Sequence, residues 1–233
     1  MNDRKLLITS MILVALMISP FISLAQRGGM GGNFGSRYAS TQSSTVPKTD
    51  DEKKILAVLN EMLTSQRAQG ANVPIDDGRF LRMLVESIGA RNVVEIGTSN
   101  GYSALWMLLG LKSTDGRLTT FEIEASSVKL ARQNFKNAGV DNIATVVEGD
   151  AHEKVKTLKG PIDILFLDAD KDGYYDYLKQ LLPLVRSGGL VVAHNMDSGG
   201  TQSYINAVTN NADLETLFIN TGSGSVGVTL KKR

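Results

Sequence analysis

Apolar positions recur along the chain in two rhythms, which predict helices first and then strands alternating with helices. Between Thr49 and Gly89 they return every three or four residues, as on one face of a helix, and Thr49 with Glu52 fits a capping box at the start of the first helix. From Asn92 onward, short apolar runs alternate with helical segments. The runs are "NVVEI", "RLTTFEI", "IATVVE", "IDILFLD", "GLVVAH", "LETLFIN" and "VGVTLKK".

Strands that alternate with helices predict an α/β fold, a doubly wound and mostly parallel sheet with helices on both faces. The last two runs are separated only by "TGSGS", so we expect them to form an antiparallel C-terminal hairpin. Ligands of such sheets bind beyond the carboxyl ends of the strands. The residues that follow each strand are therefore the candidates for function.

The N-terminal segment indicates export. Arg4 and Lys5 precede a largely apolar stretch, and Ser23 and Ala25 are small residues at the −3 and −1 positions of a cleavage site before Gln26. We therefore predict a signal peptide, or alternatively a membrane anchor, at residues 1–25, a flexible Gly/Ser-rich linker at 26–46, and a folded domain at 47–233. The expected location is periplasmic or secreted, and the alternative is membrane-anchored, with contact to the membrane only through an uncleaved leader.

Composition excludes several classes of function. Without the first 25 residues the chain has 23 basic and 23 acidic residues, a balance that argues against a nucleic-acid partner. The sequence has no cysteine, so disulfides and thiolate chemistry are excluded, and its two histidines make a multi-histidine zinc site unexpected.

The loop in "VVEIGTSNGYSALW" indicates a ligand that is not a simple phosphate. It lacks the lysine of a phosphate-binding P-loop and the third glycine of a dinucleotide fingerprint. Glu95 at the strand tip suits a ligand with an ammonium group, and Glu122 at the end of the next strand suits the two hydroxyls of a ribose. A nucleoside that carries an amino acid meets both demands, and S-adenosylmethionine is such a molecule.

Five successive segments resemble motifs of the class I S-adenosylmethionine-dependent O-methyltransferases, specifically the catechol and caffeoyl-CoA O-methyltransferase-like family. They are "VVEIGTSNGYSALW", "LTTFEIE", "VEGDAHE", "FLDADKDGYYDYL" and "GGLVVAHN". The resemblance implies a Rossmann-like methyltransferase fold with a seven-stranded sheet. It also implies methyl transfer to a small hydroxylated, phenolic or catechol-like acceptor with the help of a divalent cation.

The resemblance assigns roles to individual positions. The cofactor-binding positions that it implies are Val73, Glu95, Gly97, Ser99, Ser103, Glu122, Asp150, Ala151 and Asp168. Lys171 matches the proton-accepting lysine of the family, and Asp168 and Asn195 match metal ligands. Alternatively, Asp168 is a helix cap and Lys171 an exposed surface charge.

His194 departs from the family pattern, which has aspartate before the asparagine. An Asp168, His194 and Asn195 set carries less negative charge, so we expect it to prefer Mn, Fe, Co or Zn to Mg. The alternatives are that His194 is a general base without a metal, or a buried structural histidine. Asp170 also stands where catechol-specific members place an aromatic residue, which leaves the acceptor open.

A second hypothesis is an exported, catalytically idle module of the same fold that binds a nucleoside or a protein partner. It is motivated by the leader, because S-adenosylmethionine is made in the cytoplasm. The retention of the acidic, glycine and lysine positions argues against it. Many members of the family are dimers, so a homodimer is one expectation for the assembly.

Overall fold

The structure is a computed structural model that describes residues 44–66, 72–221 and 224–233. Within these residues the helices are α1 Asp50–Ser65, α2 Ile75–Ser87, α3 Tyr102–Thr114, α4 Ala125–Ala138, α5 Ala151–Lys154, α6 Tyr174–Leu181 and α7 Gln202–Thr209. The strands are β1 Asn92–Ile96, β2 Arg117–Glu122, β3 Ala144–Glu148, β4 Ile162–Leu167, β5 Val185–His194, β6 Leu214–Asn220 and β7 Ser225–Lys231. Short 3₁₀ turns occupy Val155–Thr157 and Lys171–Gly173.

The described strands form one seven-stranded sheet in the order β3-β2-β1-β4-β5-β7-β6. Strands β1 to β5 pair in parallel, whereas β7 pairs antiparallel with both β5 and β6. The predicted fold class and the antiparallel C-terminal hairpin are thus confirmed. The chain winds outward from β1 through β2 to β3 and then returns to β4. This places the switch point, where ligands bind in such sheets, between β1 and β4.

Helices cover both faces of the sheet. Successive side chains of a strand point to opposite sides, so strands that are apolar throughout need helices packed on each face. Val93 in β1 packs with the apolar residues of α1, α2, α3 and α4 on one face. Val94 and Ile96 of the same strand pack with α6 and α7 on the other. Helix α3 is buried from Tyr102 to Leu111, as expected for a helix that is apolar on every side.

Several predicted boundaries shift. The second helix begins at Ile75 rather than near Arg79, and α6 ends at Leu181 rather than Val185, where β5 already begins. The capping box at α1 is partly as predicted. Thr49 Oγ1 accepts from the Glu52 N–H at 3.2 Å, but the Glu52 carboxylate accepts from the Lys48 N–H instead of that of Thr49.

The predicted leader and nearly all of the predicted linker lie outside the described residues, so the domain boundaries and the location stay predictions. Among the helices of the described part, none combines the length and the apolar character that a membrane crossing requires.

Candidate active site

A cavity of about 850 Å³ opens at the carboxyl ends of the central strands, where the topology places the ligand site. All of the predicted site residues except Glu95 line it: Val73, Gly97, Ser99, Ser103, Glu122, Asp150, Ala151, Asp168, Lys171, His194 and Asn195. Motifs separated along the sequence therefore meet at one site.

The loop after β1 depends on its glycines. Gly97 has φ 99°, and a Cβ at this position would overlap the backbone carbonyl of Asp168 at the end of the neighbouring β4. Gly101 has φ 86° and is the N-cap of α3, directly before Tyr102. A turn with positive φ and no side chain is what lets the loop approach β4 closely and leave room for a ligand.

Glu122 fastens this loop to the second strand. Its Oε2 accepts from the backbone N–H of Ser99 at 2.7 Å, and its Oε1 accepts from the N–H of Glu124 at 2.9 Å. Each carboxylate oxygen has a further lone pair, so a half-buried Glu122 on the cavity wall can still accept two ribose hydroxyls.

Glu95, which was predicted to bind the cofactor, does not line the cavity. Its side chain is fully buried, is absent from the cavity wall, and accepts from Ser103 Oγ at 2.5 Å and Thr120 Oγ1 at 2.6 Å. Burial raises the pKa of Glu95 to about 8, although these two hydrogen bonds oppose the rise. Glu95 therefore lies behind Ser103 and orients its hydroxyl, and Ser103 is the residue that reaches the cavity.

The opposite end of the cavity carries a lysine held by two groups. Lys171 Nζ donates to Asp168 Oδ1 at 3.0 Å and to the Tyr174 hydroxyl at 2.7 Å, and it lies 4.8 Å from the centre of the Tyr174 ring. Tyr174 in turn donates to backbone carbonyls at the ends of β4 and β5. The lysine is thus fixed by the sheet itself rather than extended into solvent.

His194, the last residue of β5, lies between two carboxylates. Its Nε2 is 2.8 Å from Asp77 Oδ2, and its Nδ1 is 3.4 Å from Asp168 Oδ1 and 3.1 Å from Asn195 Oδ1. Burial lowers the pKa of His194, but the contacts with Asp168 and Asp77 outweigh it and raise that pKa to about 9. For Asp168, burial alone would raise the pKa of the carboxyl. The contacts with His194 and Lys171 outweigh burial and hold this pKa below its ordinary value.

Asp168, His194 and Asn195 bring oxygen and nitrogen donors of the kinds that bind divalent cations together at this end. Adjacent ligands of a six-coordinate cation lie about 3 Å apart, close to the spacing of His194 Nδ1 from the Asn195 and Asp168 oxygens. The described residues contain no group of three or more histidine, cysteine, aspartate or glutamate side chains arranged around a metal position, so an amide must complete this set. The Nδ1 proton has to leave before a cation can bind.

His152 forms a network at the third strand end that the sequence had not indicated. Its Nδ1 lies 2.9 Å from Asp176 Oδ2 and its Nε2 lies 3.3 Å from Asp170 Oδ2, while the ring stacks on Tyr177 at 4.2 Å. Asp150 caps α5 by accepting from the His152 N–H. These contacts join α5 to α6 and shape the cavity wall next to Asp150 and Ala151.

Two further residues of the cavity wall were not predicted from the sequence. Asn72 and Tyr102 line the cavity, and the polar ends of their side chains are buried with no hydrogen-bond partner in the described structure. Asn72 directly precedes the predicted Val73, and Tyr102 lies inside the quoted glycine-loop motif. Their polar groups next to predicted positions were the available signal.

The fold and the cavity together define a methyltransferase-like α/β protein. The model of the O-methyltransferase family matches residues 45–212, which is most of the chain. The chain belongs to this family.

Curated relatives agree with the family. The chain is 38% identical to the catechol O-methyltransferase of Mycobacterium tuberculosis over 129 residues, which are 55% of this chain and 58% of the relative. It is 33% identical to the catechol O-methyltransferase of Niastella koreensis over 154 residues, 64% of this chain and 69% of the relative. The match thus spans a little over half the length of the mycobacterial protein.

Solved structures share the fold over most of the chain. The O-methyltransferase of Bacillus cereus, determined in complex with SAH, has a TM-score of 0.68 and 26% identity over 84% of this chain and 96% of its own. The O-methyltransferase TomG of Streptomyces achromogenes, determined with SAM, has the same TM-score and 25% identity over 85% of this chain and 96% of its own.

Proposed function

We propose that the protein is an S-adenosylmethionine-dependent O-methyltransferase that acts on a hydroxyl of a small phenolic, catechol-like acceptor. The observation that carries the proposal is the cavity that joins the glycine loop and Glu122 at one end to Lys171, Asp168 and His194 at the other. The solved relatives that hold SAH and SAM support the choice of cofactor. The relatives named catechol O-methyltransferase support the choice of acceptor.

The cofactor end offers groups that match the parts of S-adenosylmethionine. Ser103 and the loop at Gly97 suit the amino-acid portion, and Glu122 suits the ribose hydroxyls. Asp150 and Ala151 flank the position for the adenine. A sulfonium cation next to Asp168 is favoured because the pKa of this buried carboxyl is held low, which keeps it ionised.

The acceptor end supplies the proton transfer. The acceptor oxygen attacks the methyl carbon in line, the C–S bond breaks, and its electron pair stays on sulfur to give S-adenosylhomocysteine. We assign the uptake of the hydroxyl proton to Lys171 Nζ, and Asp168 and the Tyr174 ring stabilise the ammonium that results. Fixing the reactants in line accounts for a large part of the rate, because alignment alone is worth up to about 7–11 kcal/mol in ideal cases.

A divalent cation belongs to this proposal as an assisting group. Asp168, His194 and Asn195 would hold it, and when bound it would lower the pKa of the acceptor hydroxyl as a Lewis acid.

Asp170 bears on the choice of acceptor. Its carboxylate accepts from the Tyr177 hydroxyl at 2.8 Å and approaches His152, so it is held at the rim of the cavity beside Lys171. A polar residue here favours an acceptor with hydrogen-bond donors over an unsubstituted aromatic ring. The export of the domain and a homodimeric assembly remain separate proposals based on the leader and on the family.

The test is methyl transfer itself. The full chain would be incubated with S-adenosylmethionine, a panel of catechols and a divalent cation, and the products analysed by mass spectrometry. We expect a methylated catechol and an equal amount of S-adenosylhomocysteine. Absence of both under every cation, although S-adenosylmethionine binds, would favour the catalytically idle module.

A further inference from the structure

A buried aspartate outside the family motifs contacts the acceptor end of the cavity. Asp77 lies in the first turn of α2, is 2% exposed, and places Oδ2 at 2.8 Å from His194 Nε2 at the end of β5. The two residues are 117 positions apart in sequence. No sequence motif links them, and only the fold brings them together.

The local packing holds Asp77 in this place. It precedes Gly78, and a Cβ at that position would overlap the indole of Trp106 in α3. Helix α2 therefore approaches α3 closely and turns Asp77 inward, toward the sheet. The contact between Asp77 and His194 is closed to water on both sides, with side-chain exposures of 2% and 7%, so it is little screened.

The hydrogen bond determines which nitrogen of His194 faces the cavity. Nε2 is the ring nitrogen that meets Asp77, at 2.8 Å from Oδ2, an oxygen that can accept the Nε2 hydrogen. Nδ1 then points to the Asp168 and Asn195 oxygens. A flipped ring would put a carbon atom in the place of Nε2 and leave Oδ2 of Asp77 without this contact. Oδ1 of Asp77 already has no hydrogen-bond partner in the described structure.

We propose that Asp77 is a positioning residue that orients His194 so that Nδ1, with Asp168 and Asn195, binds a cation that accepts nitrogen ligands readily, such as Zn²⁺ or Co²⁺, in preference to Mg²⁺. The inference rests on the proposed function, for which this end of the cavity holds the assisting cation. A carboxylate on the outer nitrogen of a ligating histidine fixes its orientation and strengthens it as a ligand. Asp77 and His194 thus act as a pair in place of the aspartate that the family has before its asparagine.

The two histidines of the chain make a direct spectroscopic test practicable. The full chain would be labelled with ¹⁵N-histidine, and a His152→Gln variant would identify the His194 signals. On addition of Zn²⁺ we expect the Nδ1 resonance of His194 to move to a metal-bound position while Nε2 keeps its hydrogen. A Zn²⁺ titration that leaves the Nδ1 resonance unmoved, or that moves Nε2 instead, would overturn the inference.

Calorimetry on variants then isolates Asp77. Asp77→Asn should weaken Zn²⁺ binding by about 10- to 100-fold, the range found when such outer partners are lost. Asp76→Asn, the same change on the neighbouring and partly exposed residue, should leave Zn²⁺ affinity unchanged. The wild-type chain should bind Zn²⁺ more tightly than Mg²⁺. Equal Zn²⁺ affinity of wild type and Asp77→Asn, or a preference for Mg²⁺, contradicts the inference.

Two controls distinguish a failure of this inference from a failure of the proposed methyltransferase function. Titration of S-adenosylmethionine into each variant reports the proposed function independently, and we expect Asp77→Asn to change that affinity by less than about threefold. If the wild-type chain binds S-adenosylmethionine but not Zn²⁺, only the inference about Asp77 and His194 fails. If the wild-type chain binds Zn²⁺ but not S-adenosylmethionine, the proposed methyltransferase function fails. If Asp77→Asn fails to fold, Asp77→Glu keeps the charge, displaces the oxygen and should show the same loss.

Discussion

Ser99 donates its backbone N–H to Oε2 of Glu122 over 2.7 Å, and this bond fastens the loop after β1 to the end of β2. Ser99 adopts φ 49°, a left-handed conformation that is uncommon outside glycine. The carboxylate that suits the ribose is therefore also the group that holds the loop in its conformation, which couples cofactor binding to loop geometry.

Replacing Glu122 should weaken the binding of S-adenosylmethionine. Glu122→Ala removes the acceptor of the ribose hydroxyls and of the Ser99 N–H, so we expect a loss of about 1–3 kcal/mol in S-adenosylmethionine binding. Glu122→Gln keeps one acceptor oxygen and should lose less. Glu124→Ala, two residues further along the chain, is the matched control, and isothermal titration calorimetry is the measurement. Equal affinity of Glu122→Ala and the wild type would remove Glu122 from the cofactor site.

Replacing Lys171 should slow the chemistry and leave cofactor binding intact. In Lys171→Met the side chain keeps its length but cannot take the acceptor proton, so we expect single-turnover methyl transfer to fall by about 10²- to 10⁴-fold. The affinity for S-adenosylmethionine should change by less than about threefold. Lys179→Met alters an exposed lysine of α6 and provides the control. A rate equal to the wild type would exclude Lys171 as the base.

The stability of the protein should fall as the pH rises, because of Glu95. The pKa of Glu95 is raised by burial from 4.5 to about 8, so the folded protein favours the neutral carboxyl. The resulting stabilisation is complete below the unfolded pKa and is lost as the pH rises through about 8. The free energy of unfolding should decrease by up to about 1.4 kcal/mol per pH unit within this window.

Glu95→Gln provides the comparison for this pH dependence. Glutamine cannot ionise, so urea unfolding midpoints of the variant should depend less on pH than those of the wild type. Parallel pH profiles for the two proteins would mean that Glu95 is already ionised in the folded state at neutral pH.

A methyl group at Gly97 should disrupt the glycine loop. Gly97→Ala combines a φ of 99° with an overlap on the Asp168 carbonyl, so we expect about 1–3 kcal/mol of destabilisation. A Cβ at Gly199 would meet no heavy atom within 4 Å, so Gly199→Ala should be close to neutral. Chemical denaturation of both variants checks the difference, and similar losses in the two would contradict the steric account.

The sequence was sufficient for the fold because its signals are local and repeated. The alternation of "NVVEI" and later runs with helical segments predicted the sheet, and "TGSGS" between the last two runs predicted the hairpin. The predicted end of α6 at Val185 was wrong. The apolar residues Leu182, Leu184 and Val185 continue the helical pattern beyond the last helical residue, Leu181, and into β5. Periodicity alone does not show where such a pattern stops.

The sequence predicted which residues lie at the strand ends. It did not predict whether the side chain of such a residue points into the cavity or into the protein interior. Glu95 was placed correctly at the tip of β1, yet its side chain points into the protein and contacts Ser103 and Thr120. Asp77 was missed because its partner His194 lies 117 positions away, and only the packing of α2 against α3 brings the pair together. Contacts of this kind depend on tertiary structure and leave no local pattern.

The cavity at the strand ends is the proposed binding site of S-adenosylmethionine, and calorimetric titration of the full chain with this molecule measures that binding. We expect saturable binding at one site per chain, competed by S-adenosylhomocysteine and weakened in Glu122→Ala. Absence of binding, with and without divalent cations, in a protein that unfolds cooperatively would contradict it.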